Sequence, residues 1–226
     1  MLTVNNNFKL AVKGTAKQFR MRFVQQNVDG TPLEFSGQDI LSTVTLDQAG
    51  QFNQAVGALA TCTLLGHHTQ FEVEQDFQGI LSTKYGSTWY DAQFFTGTIM
   101  EINYSEDQTT TTLKLHNAIL IGGNTNYDTT TQTFPQTVES LAESVANLLG
   151  VQLASGFSSL LFADYVIPVD VFSNQNQPKY RDVLVAIAQI TATTAIINED
   201  GELEFRPIQT TPVDSFTDEQ LFKLKI

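Results

Sequence analysis

The spacing of hydrophobic and polar positions changes near residue 134. Before it, short segments alternate with a period of two. After it, apolar residues recur three and four apart. Phe8-Lys9-Leu10-Ala11-Val12 and Gln18-Phe19-Arg20-Met21-Arg22-Phe23-Val24 alternate. Asp29-Gly30 follows as a hairpin signal, because both residues tolerate positive φ. Gln70-Phe71-Glu72-Val73-Glu74 alternates again, and Phe94 to Tyr104 and Thr109 to Ile121 read as a strand pair joined by Ser105-Glu106-Asp107-Gln108. The run from Gly50 to Leu65 is ambiguous: Ala55 to Ala60 suits a helix, while Thr61, Cys62 and Thr63 favour a strand. Strands at this spacing, without a long helix, predict an antiparallel barrel or sandwich.

From Phe134-Pro135 the pattern is helical. Val138, Leu141, Ala142, Val145, Leu148 and Leu149 fall on one face, with Thr137 as N-cap, Glu139 in the first turn and Gly150 at C′. Val151-Gln152-Leu153 and Tyr165-Val166-Ile167-Pro168-Val169 read as short strands. Polar residues 173–178 then lead into a second helix with Val183, Leu184, Ile187, Ala188 and Thr191 on one face. Ala195-Ile196-Ile197 and Leu203-Glu204-Phe205 flank Asn198-Glu199-Asp200-Gly201, which predicts a β-hairpin turning at Asp200-Gly201. From Gln209 a linker leads to residues 220–226, which alternate like a strand in need of a partner. The expected fold class is therefore α+β. A mainly antiparallel, barrel-like β domain (1–133) precedes a small α/β module with two helices (134–208). A linker and the first strand of a further domain (209–226) follow, as in the N-terminal piece of a longer protein.

Composition narrows the function. The chain is 42% hydrophobic but only 16% charged, so its polarity comes from Thr, Gln, Asn and Ser, which suit exposed strands and loops. Twelve basic against 24 acidic residues give a net charge of −12, and Lys and Arg never form a dense stripe. This excludes attractive binding to phosphate backbones or anionic membranes. The start, MLTVNNNFKL, lacks the basic and apolar regions of a signal peptide, and no apolar run is long enough to span a bilayer. Synthesis in a bacterial-type cytoplasm without Sec export is expected.

Candidate chemistry is sparse. There is no phosphate-binding loop, dinucleotide glycine pattern, HExxH, CxxC pair or GxSxG. Cys62, the only cysteine, reads as a buried, inert thiol. His67-His68 offers two imidazoles, but neighbours on a strand face opposite ways and no third ligand has zinc spacing. On a regular strand Glu72, Glu74 and Asp76 would share a face about 7 Å apart, a spacing compatible with glycoside hydrolysis or calcium binding. The plainer reading is a solvated strand face that resists aggregation. Asp91 beside Trp89 and Tyr90 would suit a sugar platform, against the plainer reading of core or interface. Asn103-Tyr104-Ser105 matches a glycosylation sequon by chance. No catalytic, cofactor-binding or metal-binding residue is assigned, and no cofactor is expected.

Four stretches together resemble the tail hub family of long-tailed bacteriophages, the baseplate hub and tail-associated lysin proteins of phages and prophages. Thr112-Leu113-Lys114-Leu115-His116-Asn117-Ala118 resembles the end of that family's first β-barrel. Asn126-Tyr127-Asp128, then Phe134-Pro135-Gln136-Thr137 and the Leu141 to Leu149 helix with Gly150-Val151, resembles its Tyr … Pro-x-Thr … helix … Leu-Gly passage. Tyr165-Val166-Ile167-Pro168 is similar to its short strand. Tyr180-Arg181-Asp182-Val183-Leu184, Ile187-Ala188 and Asn198-Glu199-Asp200-Gly201-Glu202-Leu203 are similar to its Tyr-Arg-Asp … Ile-Ala … Asn-x-Asp-Gly passage. The resemblance covers residues 95–208 in motifs and the earlier part in architecture alone. Lys179 stands where a capping Thr or Ser is usual, and Thr191 to Ala195 replaces an expected glycine-containing turn.

The resemblance implies a structural virion protein without enzymatic activity, one subunit of a homotrimeric ring at the distal end of the tail tube. Its implied partners are the distal tail protein and tube, the tape measure protein and the tip or fibre proteins. DNA would pass through the lumen without specific binding, and three copies of a −12 chain would repel its phosphates. Some relatives carry a cell-wall hydrolase or fibre downstream. The competing readings are a glycan-binding surface β-domain using Trp89 and Tyr90, and a cell-wall hydrolase using Glu72, Glu74 or Asp91.

Overall fold

The computed structural model describes residues 5–13, 18–26, 32–35, 39–40, 45–47, 53–128, 130, 132–172 and 177–207. In chain order the elements are α1 (Asn6–Lys13), β1 (Phe19–Gln26), β2 (Pro32–Phe35), β3 (Thr45–Asp47), β4 (Ala55–Val56), β5 (Leu59–Leu65), β6 (Asp76–Tyr85), β7 (Thr88–Tyr104) and β8 (Thr110–His116). They continue with α2 (Ala118–Gly122), β9 (Gln136–Thr137), α3 (Val138–Leu148), β10 (Val166–Ile167), α4 (Tyr180–Ile190), β11 (Thr193–Ile197) and β12 (Leu203–Pro207). The fold is α+β, as the change of period predicts.

Seven strands form one curled antiparallel sheet in the order β2-β1-β6-β7-β8-β5-β3. Curling follows from local features of β6 and β7. Register shifts at Gly79/Ile80 and at Ile99/Glu101 insert bulges that sharpen the twist. Two glycines make room for aromatic rings: a Cβ on Gly79 would lie 2.6 Å from the Phe94 ring, and one on Gly97 would lie 2.5 Å from Phe95. Rings over strand glycines shield the bare backbone and bend the sheet. Phe23, Cys62, Leu64, Phe77, Phe95, Ile99, Leu113 and Leu115 pack together as the core of this sheet.

A second core gathers α3, α4 and the inner faces of β11 and β12, with Val138, Leu141, Val145, Leu184, Ile187 and Leu203 among its fully buried side chains. Ala55, Ile119 and Tyr127 join it from earlier in the chain. β4 pairs in parallel with β11, Ala55 opposite Ala195, making a three-stranded sheet in the order β12-β11-β4. A two-residue segment from the strand-rich half therefore completes the sheet of the helical half.

Both main helices begin and end as their sequences dictate. The Thr137 hydroxyl accepts from the Ser140 amide, and Gly150 takes φ +73° while the Val151 amide donates to the Ala146 carbonyl. That six-to-one bond closes the last turn of α3. At α4 the Lys179 side chain offers no acceptor. Instead the Asp182 carboxylate accepts from the Lys179 amide at 2.8 Å, one half of a capping box. The expected apolar stripe of α4 is buried: Val183, Leu184, Ile187 and Ala188 lie in the core, and Thr191 bonds the Ile187 carbonyl and the Thr193 hydroxyl. The glycine missing after this helix leaves its mark, because Ala192 carries φ +52°.

Some expectations fail for local reasons. Phe8 to Val12 is helical, not extended. Asn5 starts α1 by accepting the Asn7 amide on its side chain, and Phe8 and Ala11 share the buried face. Residues 70–74 form turns rather than a strand, with Glu74 at φ +71° and the Glu72 amide bonded to the Gln75 side chain. The strand read from Thr109 to Ile121 stops at His116, because the Asn117 side chain caps α2. Gly50–Leu65 resolves, within the described residues, into β4 and β5. Val151 to Leu153 contributes only an isolated bridge between Leu153 and Leu203. The Asp29-Gly30 turn and the strand at 220–226 lie outside the described residues.

Candidate functional site

The groups weighed for catalysis are mostly occupied by structural work. Cys62 is 1% exposed on β5, and burial pushes its thiol pKa up to about 12, so it stays protonated and unreactive. His68 uses both ring nitrogens: Nε2 donates to the Leu65 carbonyl at 2.7 Å, which leaves Nδ1 to accept from the Gln70 amide at 3.1 Å. With both nitrogens engaged, the ring has no lone pair left to offer a metal. The ring also packs edge-on against Phe35, 5.1 Å between centroids. His67 packs on Tyr104 at 4.5 Å. Among the described residues no three His, Cys, Asp or Glu side chains gather as a metal site.

The aromatic platform is similarly engaged. The Arg20 guanidinium sits 4.7 Å above the Trp89 ring, and the Lys84 ammonium lies 5.9 Å from it. These cations take a face that a sugar ring would need. Asp91 pairs with Arg22 at 2.5 Å, and the same guanidinium reaches Glu34 at 3.1 Å. The Asn103 amide donates to Glu101 at 2.7 Å on exposed β7.

The three carboxylates read as one strand face are split by the turn at residues 70–75. Glu74 and Asp76 line a cleft of about 580 Å³ with Asp200, whereas Glu72 does not. The cleft runs between β6–β7 and the C-terminal end of α3, over Met100, Ile121, Leu148 and Ile197. Asp76 accepts a 2.6 Å bond from the Thr98 hydroxyl. No lysine, arginine, histidine or cysteine is among the residues lining this cleft. It offers contact surface and three carboxylates, with no serine, cysteine or histidine lining it for acyl transfer.

The contact that sequence reasoning missed lies beside the cleft. The tip of the β11–β12 hairpin rests on β7: the Glu199 carbonyl accepts from the Thr96 hydroxyl at 3.1 Å and from the Gln93 side-chain amide. The turn is preset for this. Gly201 adopts φ +84°, and the Asn198 side chain accepts from the amides of Asp200 and Glu202 at 3.0 and 2.8 Å. Asp200-Gly201 is therefore a turn, as its sequence suggests, and the turn latches the helical half onto the long strand. Gln93 and Thr96 look like ordinary strand polar positions in sequence, so no signal marked them.

No family model matches the chain, and no curated protein does. Among solved structures it is similar to the 43 kDa tail protein of prophage MuSo2 from Shewanella oneidensis, with a TM-score of 0.51 and 12% identity over 86% of this chain. The chain spans about half, 54%, of that protein's length. A Francisella PdpA–VgrG complex aligns with a TM-score of 0.47 and 10% identity, over 98% of this chain and 31% of that one. Among the described residues no helix is long and apolar enough to cross a membrane. The chain therefore shares its fold with a prophage tail protein.

Proposed function

We propose that the chain is a structural, non-catalytic virion protein. In this reading it is a subunit of the homotrimeric ring at the distal end of a phage tail tube, which joins the tube to the tip or fibre and opens for DNA exit. One observation carries the reading: the curled sheet, followed by the α3, α4 and hairpin arrangement, has the fold of a prophage tail protein over most of its length. The engaged state of Cys62, His68, Trp89 and Asp91 supports a scaffold role over catalysis or sugar binding. The hairpin latch on β7 supports it too, since a ring subunit must hold its brace rigidly against its sheet. The partners in this reading are the distal tail protein and tube, the tape measure protein, and tip or fibre proteins. The −12 charge keeps DNA from lodging on the lumen wall.

Immunogold electron microscopy of particles that encode the chain tests this directly. Label confined to the tail tip is the expected result. Label on the capsid, or none on intact or disrupted tails, overturns it.

A further inference from the structure

Residues 161–171 form an exposed apolar ridge. Leu161, Phe162, Tyr165, Val166, Val169 and Val171 are all more than half exposed. Six such side chains within eleven residues are a concentration of apolar exposure, unlike the single scattered exposures of an ordinary monomer surface. The ridge is held firmly. The interspersed residues Ala163, Ile167 and Phe172 are rooted in the core, and β10 pairs with β9, Val166 opposite Thr137. The carbonyls of Tyr165 and Ala163 accept from the amides of Val138 and Glu139, two donors that the start of α3 leaves unpaired. Phe162 is held at φ +59°, where a bulky side chain is an outlier, with 54% of its surface in solvent.

Charge identifies the occupant. From His116 to Pro178 the sequence contains Asp128, Glu139, Glu143, Asp164 and Asp170, and no lysine or arginine. From Met1 to Val28 it contains Lys9, Lys13, Lys17, Arg20 and Arg22, and no acid; Arg22 is already paired with Glu34 and Asp91, so the docking charge rests on the lysines, Lys9 first. Copies of a chain with net charge −12 repel one another unless unlike regions meet. The basic region also carries exposed apolar groups, Leu10 on α1 at 50% and Phe19 on β1 at 39%. On α1, Leu10 stands next to Lys9, while Phe8 and Ala11 are buried.

We propose that the 161–171 ridge of one copy docks on the α1–β1 face of a second copy, apolar against apolar and Asp164 near Lys9. Different patches meet in such a head-to-tail contact, the kind whose repetition forms a ring when the rotation between subunits closes. The proposal deepens the ring reading above by naming its subunit contact.

Sedimentation velocity, with thermal melts as a folding control, compares wild type with Phe162→Asp, Val169→Asp, Lys9→Glu, Asp164→Lys and the Lys9→Glu/Asp164→Lys pair. Asp is at ease at a left-handed φ, so Phe162→Asp tests contact rather than folding. Wild type should self-associate. Each ridge variant should weaken association about tenfold or more at an unchanged melting temperature. Each single charge reversal should weaken it, and the pair should restore it. Ridge variants that associate like wild type overturn the proposal and leave the ring reading to another contact. A wild type that stays monomeric to its solubility limit also overturns the proposal. Failure of tail-tip immunolabelling is what would remove the ring reading itself.

Discussion

Gly97→Ala probes the curl of the large sheet. An added Cβ would lie 2.5 Å from the Phe95 ring and 2.9 Å from the His116 carbonyl oxygen. The ring could shift, but Phe95 is a buried member of the sheet core. The carbonyl has less freedom, because His116 pairs with Thr98 on β7 and Leu59 on β5. Overpacking of a well-packed site costs about 1–3 kcal/mol, and two close contacts, one of them backbone, put this change near the upper end. Gly86→Ala is the control: nothing lies within 4 Å of its added Cβ, but its φ of +64° carries a cost of roughly 1–2 kcal/mol. Urea melts should show a larger loss for Gly97→Ala than for Gly86→Ala, with similar m-values. Phe95→Leu in the Gly97→Ala background should recover part of the loss, since the carbonyl contact remains. A Gly97→Ala loss below that of Gly86→Ala would refute the close-approach account of the curl.

Other outcomes follow from single sites. Ala192→Gly should stabilise the protein by about 1 kcal/mol in a thermal melt, because Ala192 sits at φ +52° after α4 where glycine carries no Cβ penalty. Cys62 should resist a thiol reagent at pH 8 in the folded protein and react fully in urea, since burial holds its pKa near 12. The Glu101 pKa is lowered by hydrogen bonds from Lys114 and then Asn103, so NMR titration of Lys114→Met should show it rise. Burial lowers the pKa of His116. Both groups are lowered on folding, so the unfolded chain binds more protons as pH falls. Stability should therefore decline on acidification, first just below the ordinary imidazole range through His116 and then through the carboxylate range through Glu101.

What was legible in the sequence was what local periodicity controls. Val183, Leu184, Ile187 and Ala188 set the buried face of α4, and Thr137 and Gly150 mark the ends of α3. Short segments misled where the two periods overlap. Phe8 to Val12 alternates well enough for a strand, yet Phe8 and Ala11 also share a helical face, and the Asn5 cap decides between them. Glu72, Glu74 and Asp76 alternate in sequence but a turn at positive φ separates them. Long-range pairings left no local trace: the Ala55–Val56 pairing with β11 and the Thr96 bond to Glu199 depend on the assembled fold. The ridge was hidden for another reason. Residues 161–171 are apolar enough to suggest core, and only the structure shows which of them face solvent.

The central claim is the ring at the end of the tail tube, and a cryo-electron microscopy reconstruction of the tail tip tests it most directly. The account predicts three copies around the lumen, each fitting the curled β2-β1-β6-β7-β8-β5-β3 sheet with its hairpin seated on β7. A tip whose density accommodates no such sheet, or a copy number other than three, would contradict it.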